Sequence, residues 1–155
     1  PKMKQALNIF FEDFVNSLEL RPYAEELLRK LSQTHKLGLI SNFTYAPVVY
    51  SSLRKLGISD FFNVVTVSDD NGWRKPHSKI FQDTINRLKV EIGNIVYIGD
   101  SPSEDIKGAL DAGLKTVFVS SQFYSLNDLM QSGHKPHYII ADLGEVCKDL
   151  SPFGS

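Results

Sequence analysis

Apolar and polar positions along the chain fall into short blocks whose period changes repeatedly. Phe10, Phe11, Phe14 and Leu18 recur at helical spacing, with Glu12, Asp13 and Asn16 between them, which predicts a helix over about 3–19. A second helix is expected after Arg21-Pro22, with Pro22 near its first turn and Leu27, Leu28 and Leu31 on one face. Residues 37–40 are a short apolar run between polar flanks and read as a buried strand. A helix near 46–55 follows, with Pro47 early and Gly57 shortly after its end. Val64-Val65-Thr66-Val67 is β-branched and predicts a strand. A helix over 77–88 carries Ile80, Phe81, Thr84, Ile85 and Leu88 on one side. The remaining blocks predict a strand at 95–98, a helix at 103–112, a strand at 116–119, a helix near 125–131, a strand at 138–140 and a helix at 143–150.

Strands therefore alternate with helices, and each strand is uniformly apolar rather than alternating. Strands of that kind are buried on both faces, so the expected class is α/β, a Rossmann-like parallel sheet with helices on both faces. Ligands of such sheets sit beyond the C-terminal ends of the strands, so the residues just after each strand hold the chemistry.

The strand ending at Ile98 is followed by Gly99-Asp100-Ser101-Pro102-Ser103-Glu104-Asp105. Ser101 reads as an N-cap, Pro102 as the first helical residue and Glu104 as the third, a capping box. Asp100 then lies at the strand end and Asp105 in the first helical turn. Two carboxylates so placed can hold a hard cation such as Mg²⁺; helix capping and the favourable charge at a helix N-terminus would explain them without a metal. After the strand ending at Ile40 come Ser41 and Asn42, where a hydroxyl and backbone amides can donate to a phosphate oxygen, although such residues are usually ordinary turn formers. Lys75 precedes Pro76 in a loop between a strand and a helix, and Pro76 disfavours helix at Lys75. An ammonium held there can oppose charge on a phosphate or a carboxylate nucleophile. Arg74 reads as solvated, and Trp73 as loop packing or a substrate-facing aromatic.

Seventeen basic residues against eighteen acidic ones give a net charge of -1. That balance supports binding neither to nucleic acid nor to an anionic membrane. The lone cysteine, Cys147, lies in an apolar helical stretch and reads as a core residue rather than a nucleophile. With no internal disulfide possible, no spanning apolar run and no signal-peptide pattern at the start, the chain reads as cytoplasmic. His134 and His137, flanking Pro136, are expected to be solvated.

The three strand-end segments together resemble the haloacid dehalogenase (HAD)-like hydrolase superfamily, phosphatase branch. Leu37-Gly38-Leu39-Ile40-Ser41-Asn42 is similar to its second motif, Lys75-Pro76 before a helix to its third, and Gly99-Asp100 with Asp105 to its fourth. The resemblance covers about residues 20–145 and implies roles. Ser41, with nearby backbone amides and Asn42 as a weaker candidate, would bind the transferred phosphoryl group. Lys75 would stabilise negative charge, Asp100 would help bind Mg²⁺, and Asp105 would support the metal's water shell or orient Lys75. The implied reaction is hydrolysis of a small phosphorylated metabolite through an aspartyl-phosphate intermediate.

The family's first motif, Asp-x-Asp after an early strand, has no match, since no two Asp residues here are separated by one residue. The expected organisation is the last helix of a cap region over 1–20, the C-terminal part of a HAD-like core over 21–150 and a tail over 151–155. The core would lack its first strand and most of the cap, and the nucleophile would lie outside the chain. An apolar sheet edge would then be open, with self-association through that edge as one outcome. Competing expectations are a 2-haloacid dehalogenase, which shares Ser41-Asn42 but needs no metal, and a non-catalytic binding scaffold.

Overall fold

A computed structural model describes residues 2–149; the tail expected over 151–155 and the last residue of the expected final helix lie outside the described residues. The helices are α1 (Lys2–Ser17), α2 (Ala24–Leu31), α3 (Ala46–Lys55), α4 (Ser68–Asn71), α5 (Ser78–Leu88), α6 (Lys107–Asp111), α7 (Leu126–Ser132) and α8 (Leu143–Lys148). The strands are β1 (Gly38–Ser41), β2 (Val64–Val67), β3 (Val96–Gly99), β4 (Lys115–Val119) and β5 (Tyr138–Ile140). Each strand lies within a residue of its expected place. The second helix starts later than expected, at Ala24, because Tyr23 adopts the left-handed conformation with φ of 65°. No helix among the described residues is long and apolar enough to cross a membrane.

All strand pairings are parallel, but they form two sheets: β1 with β2, and β3-β4-β5 with β4 in the middle. The same two helical layers cover both. Leu27 and Leu31 of α2 pack with Val117 and Val119 of β4 and Val146 of α8. Val49 and Leu53 of α3 pack with Leu39 of β1 and Val67 of β2. On the other face, Ile80 and Phe81 of α5 pack with Ile40, Tyr97 and Ala109, so one cluster joins β1, β3 and α6 across the break. Phe118, the neighbour of Val117 on β4, turns to Ile106 and Leu129 of α7. Neighbouring residues of β1, β3 and β4 thus face opposite helical layers, but only β2 and β4 are largely buried. β1, expected to be a buried strand, and β3 are at most half-buried beside the cavity that separates them, and β5 exposes Tyr138 and Ile139.

Between β1 and β3 lies a cavity of about 990 Å³, lined among others by Leu27, Leu39, Ile40, Phe81, Tyr97 and Ile98. The open edges of the two sheets face each other across this space. α1 packs against α3, and Phe11 seats on the loop after β1, with its ring centroid 5.9 Å from that of Phe43 and 5.7 Å from that of Tyr45. Phe10, expected on the same stripe, is 73% exposed.

Candidate active site

Three segments converge at the C-terminal ends of β1 and β3. β1 ends in Ser41 and is followed by Asn42; β3 ends in Gly99 and is followed by Asp100; the loop from α4 to α5 carries Lys75. The Lys75–Pro76 peptide is cis. His77 closes that loop by capping α5, its Nδ1 accepting from the Lys79 amide at 3.2 Å.

Two glycines allow the close packing here. A Cβ on Gly99 would lie 2.4 Å from Asp105 Cβ, and one on Gly108 would lie 2.6 Å from the Phe81 ring and 3.0 Å from Pro76 Cα. The sites of Asp105 and of the Lys75-Pro76 loop against α6 therefore both depend on an absent side chain.

Ser101 caps the following turn as expected, its Oγ accepting from the Glu104 amide at 3.2 Å. The rest of the expected capping box differs. The Ser101 carbonyl accepts from the amides of both Asp105 at 2.9 Å and Ile106 at 3.1 Å, so residues Pro102–Ile106 form a wide π-helical turn before α6. Asp105, not Glu104, reaches back, its Oδ2 accepting from the amides of Ser101 at 3.0 Å and Asp100 at 3.2 Å. Glu104 turns instead to Asn42.

The other oxygen of Asp105 faces Lys75. Lys75 Nζ lies 2.6 Å from Oδ1, with the side chains only 11% and 6% exposed. The Tyr97 hydroxyl donates to the same Oδ1 at 2.9 Å and accepts from Lys75 Nζ at 3.2 Å. Asp105 therefore takes four donors, close to the capacity of a carboxylate. Asp105 thus holds the Lys75 ammonium, and little of its accepting capacity is left over. Burial of the phenol pushes the Tyr97 pKa well above its ordinary value, with the negative charge of Asp105 next and those of Asp100 and Glu104 adding to it. Tyr97 is thus held as a neutral donor.

Asn42 was expected to face substrate. Its side chain is instead engaged with protein groups: Oδ1 accepts from the Lys75 amide at 2.8 Å, while Nδ2 donates to the Lys75 carbonyl and to Glu104 Oε2, both at 3.0 Å. By contrast, no described residue hydrogen-bonds to Ser41 Oγ or to the Asp100 carboxylate, and both residues are half-buried. Lys75 Nζ carries a third N–H beyond the two that go to Asp105 and Tyr97.

Mg²⁺ binds through oxygen atoms, commonly one or two carboxylates with several waters. Asp100 fits as one such ligand. Among the described residues no three His, Cys, Asp or Glu side chains gather to hold a metal. Tyr97 and Glu104 were missed by the sequence reading. The available signal for Tyr97 was a hydroxyl in an otherwise apolar strand, since a buried phenol usually finds a partner. Arg74 is largely exposed, 4.0 Å from Glu104. Cys147 packs with α2 and α8, and burial pushes its thiol up. His137 was expected to be solvated; its ring is exposed, but Nδ1 accepts from the Thr116 amide at 3.1 Å, tying the loop before β5 to β4.

Ser41 and Asp100 thus lie at the C-terminal ends of β1 and β3, with Lys75 carried on the α4–α5 loop, and the comparisons give the family to which this fold belongs. The profile of the haloacid dehalogenase-like hydrolase family matches residues 1–119. The chain belongs to that family. It is 34% identical over 157 residues to the glyceraldehyde 3-phosphate phosphatase of Methanopyrus kandleri, covering 97% of this chain and 66% of that one. Among solved structures, a HAD phosphatase from Thermococcus onnurineus superposes with a TM-score of 0.78 at 32% identity, covering 94% of this chain and 65% of that one. A 2-haloacid dehalogenase from Pseudomonas syringae superposes with a TM-score of 0.76 at 27% identity, covering 96% and 62% respectively. The chain spans between 41% and 66% of the length of the first four curated relatives it matches.

Proposed function

We propose that the complete protein is a Mg²⁺-dependent phosphatase of small phosphorylated metabolites. The observation that carries this reading is the enclosed Lys75 ammonium, fixed by Asp105 at the end of the sheets where Ser41 and Asp100 lie, with no described residue hydrogen-bonded to the Ser41 hydroxyl or the Asp100 carboxylate. In this reading Ser41 Oγ and the neighbouring backbone amides donate to a phosphoryl oxygen. Two of the three Lys75 N–H groups are taken by Asp105 and Tyr97, and the third opposes negative charge on the phosphoryl group and its attacker. Asp105 keeps the ammonium in place. When bound, through Asp100 and a carboxylate from outside these residues, Mg²⁺ neutralises charge on the phosphoryl oxygens.

The nucleophile in this reading is an aspartate outside residues 1–155. Its carboxylate bonds to phosphorus as the substrate's ester P–O bond breaks and the alcohol leaves with a proton from solvent, and water then cleaves the aspartyl-phosphate to inorganic phosphate and the free carboxylate. The cavity between β1 and β3 is where we infer that its strand sits. A strand there would pair in parallel with both open edges at the usual 4.7–4.9 Å spacing and end beside Ser41 and Asp100. It would also close the edge through which self-association was expected. Against the dehalogenase reading, the Asn42 side chain is engaged with Lys75 and Glu104, and Gly99-Asp100 suits a metal-assisted phosphoryl transfer.

The test is phosphate release by the complete polypeptide from glyceraldehyde 3-phosphate, the substrate named for its 34%-identical relative, and from a panel of other small phosphate esters. Release should require Mg²⁺ and be abolished by a chelator. Ser41→Ala should lower kcat by roughly 10²–10³-fold, the usual loss for one donor to a developing charge. Metal-independent halide release from 2-haloacids, with no phosphate release, would refute the reading.

A further inference from the structure

Asn42 is the first residue after β1, and its short amide spans three segments. It holds both backbone groups of one residue, accepting from the Lys75 N–H at 2.8 Å and donating to the Lys75 carbonyl at 3.0 Å. Its second amide hydrogen goes to Glu104 Oε2 at 3.0 Å. The first two bonds imitate a rung of strand pairing, with a side chain in place of a partner strand, and they fix the peptide groups on both sides of the Lys75 Cα. The third ties the same amide to the turn that carries Asp105.

The loop needs such a clip. Gly72, Trp73, Arg74, Pro76 and His77 are all exposed. The loop touches α6 where Pro76 meets Gly108 and closes on itself through the His77 amide and the Arg74 carbonyl, while the hydrogen bonds to the Lys75 backbone itself come from Asn42. The ammonium is fixed by Asp105 at 2.6 Å, but a flexible four-carbon stem lies between that contact and the backbone. Without a fixed main chain, the Nζ position would be set at one end only.

We propose that Asn42 is a positioning residue for Lys75 and not a substrate-binding group; the catalytic part of this proposal rests on the phosphatase reading. Asn42 and Glu104 act as one device that locks the Lys75 loop to the ends of β1 and β3. A misplacement on the order of 1 Å at a catalytic group can cost about 10²-fold in rate. Asn42→Ala should therefore lower kcat by roughly 10–100-fold while leaving KM within about threefold. Asn42→Asp removes both donors and sets a carboxylate against Glu104. Combining it with Glu104→Gln returns a donor to that contact and should restore part of the lost kcat.

The experiment pairs steady-state kinetics on the complete polypeptide, below the unfolding temperature of every variant, with amide hydrogen exchange over residues 72–77. Loss of kcat at retained KM, partial rescue by Glu104→Gln and faster exchange in Asn42→Ala support the clamp. A raised KM at retained kcat would overturn it and assign Asn42 to substrate binding. Unchanged exchange would overturn it whatever the kinetics show. If the unmodified protein releases no phosphate from any ester, the phosphatase reading fails separately, and exchange alone decides whether Asn42 holds the loop.

Discussion

Replacing Asp105 by alanine removes the counter-charge of an enclosed ammonium and the acceptor of two backbone N–H groups and a phenol. Lys75 and Asp105 have side chains only 11% and 6% exposed, so solvent screens the pair weakly. Removing one member of such a pair costs about 3–5 kcal/mol, most of it the penalty of leaving a charge uncompensated. The freed N–H groups of Asp100 and Ser101 add to that cost, but not additively, because they share the same carboxylate. The converse change is milder. Lys75→Met loses the Nζ bonds to Asp105 and to the Tyr97 hydroxyl but leaves Asp105 with the Tyr97 hydroxyl and both backbone amides, and should cost about 1–3 kcal/mol, chiefly for the lost charged hydrogen bond. The expected order is therefore Asp105→Ala worse than Lys75→Met. Urea unfolding of the complete polypeptide at pH 7, with midpoints and slopes measured for both variants, gives the comparison. Costs below about 1 kcal/mol for both would show the pair to be effectively solvated. A larger loss for Lys75→Met would refute the view that Asp105 is held by several donors.

Gly99→Ala should place a methyl group 2.4–2.7 Å from Asp105 Cβ, Cγ and Oδ2; overpacking of about 1–3 kcal/mol should lower Tm by about 2–12 °C in calorimetry, and an unchanged Tm would contradict the close packing. Tyr97→Phe tests the raised phenol pKa. Because the folded pKa lies above the unfolded value near 10, the native state keeps this proton where the unfolded state loses it. The contribution of Tyr97 to stability is thus complete below pH 10 and declines above it, by at most about 1.4 kcal/mol per pH unit until the folded pKa is passed. Wild type should lose stability faster than Tyr97→Phe as pH rises above 10 in chemical unfolding, and parallel profiles would contradict the assignment.

Much of this site was legible in the residue order. Ser41, Lys75 and Asp100 could be named because each follows a recognisable apolar strand or precedes a helix, and a parallel sheet gathers its strand ends on one side. Asp105 could be placed near Asp100 because five residues on lies within the first turn of a helix. Its partners could not. The Lys75–Asp105 pair joins residues 30 apart and the Asn42–Glu104 bond residues 62 apart in the chain, and nothing local encodes either choice. Ser101 and Glu104 had the spacing of a reciprocal capping box, but the wider turn from Pro102 to Ile106 brought Asp105 to the backbone and released Glu104 to Asn42.

By itself, the sequence determined the alternation of helices and apolar strands, the α/β class and the end of the sheets at which Ser41 and Asp100 lie. These follow from local periodicity and from the two-sided burial of parallel strands. Tertiary structure decided which polar groups pair: Asp105 and Asn42 are engaged by Lys75, while no described residue hydrogen-bonds to Ser41 Oγ or to the Asp100 carboxylate. It also divided the strands into two sheets with an apolar cavity between β1 and β3. The physical reason is that burial and hydrogen-bond pairing depend on distances in space between segments far apart in the chain.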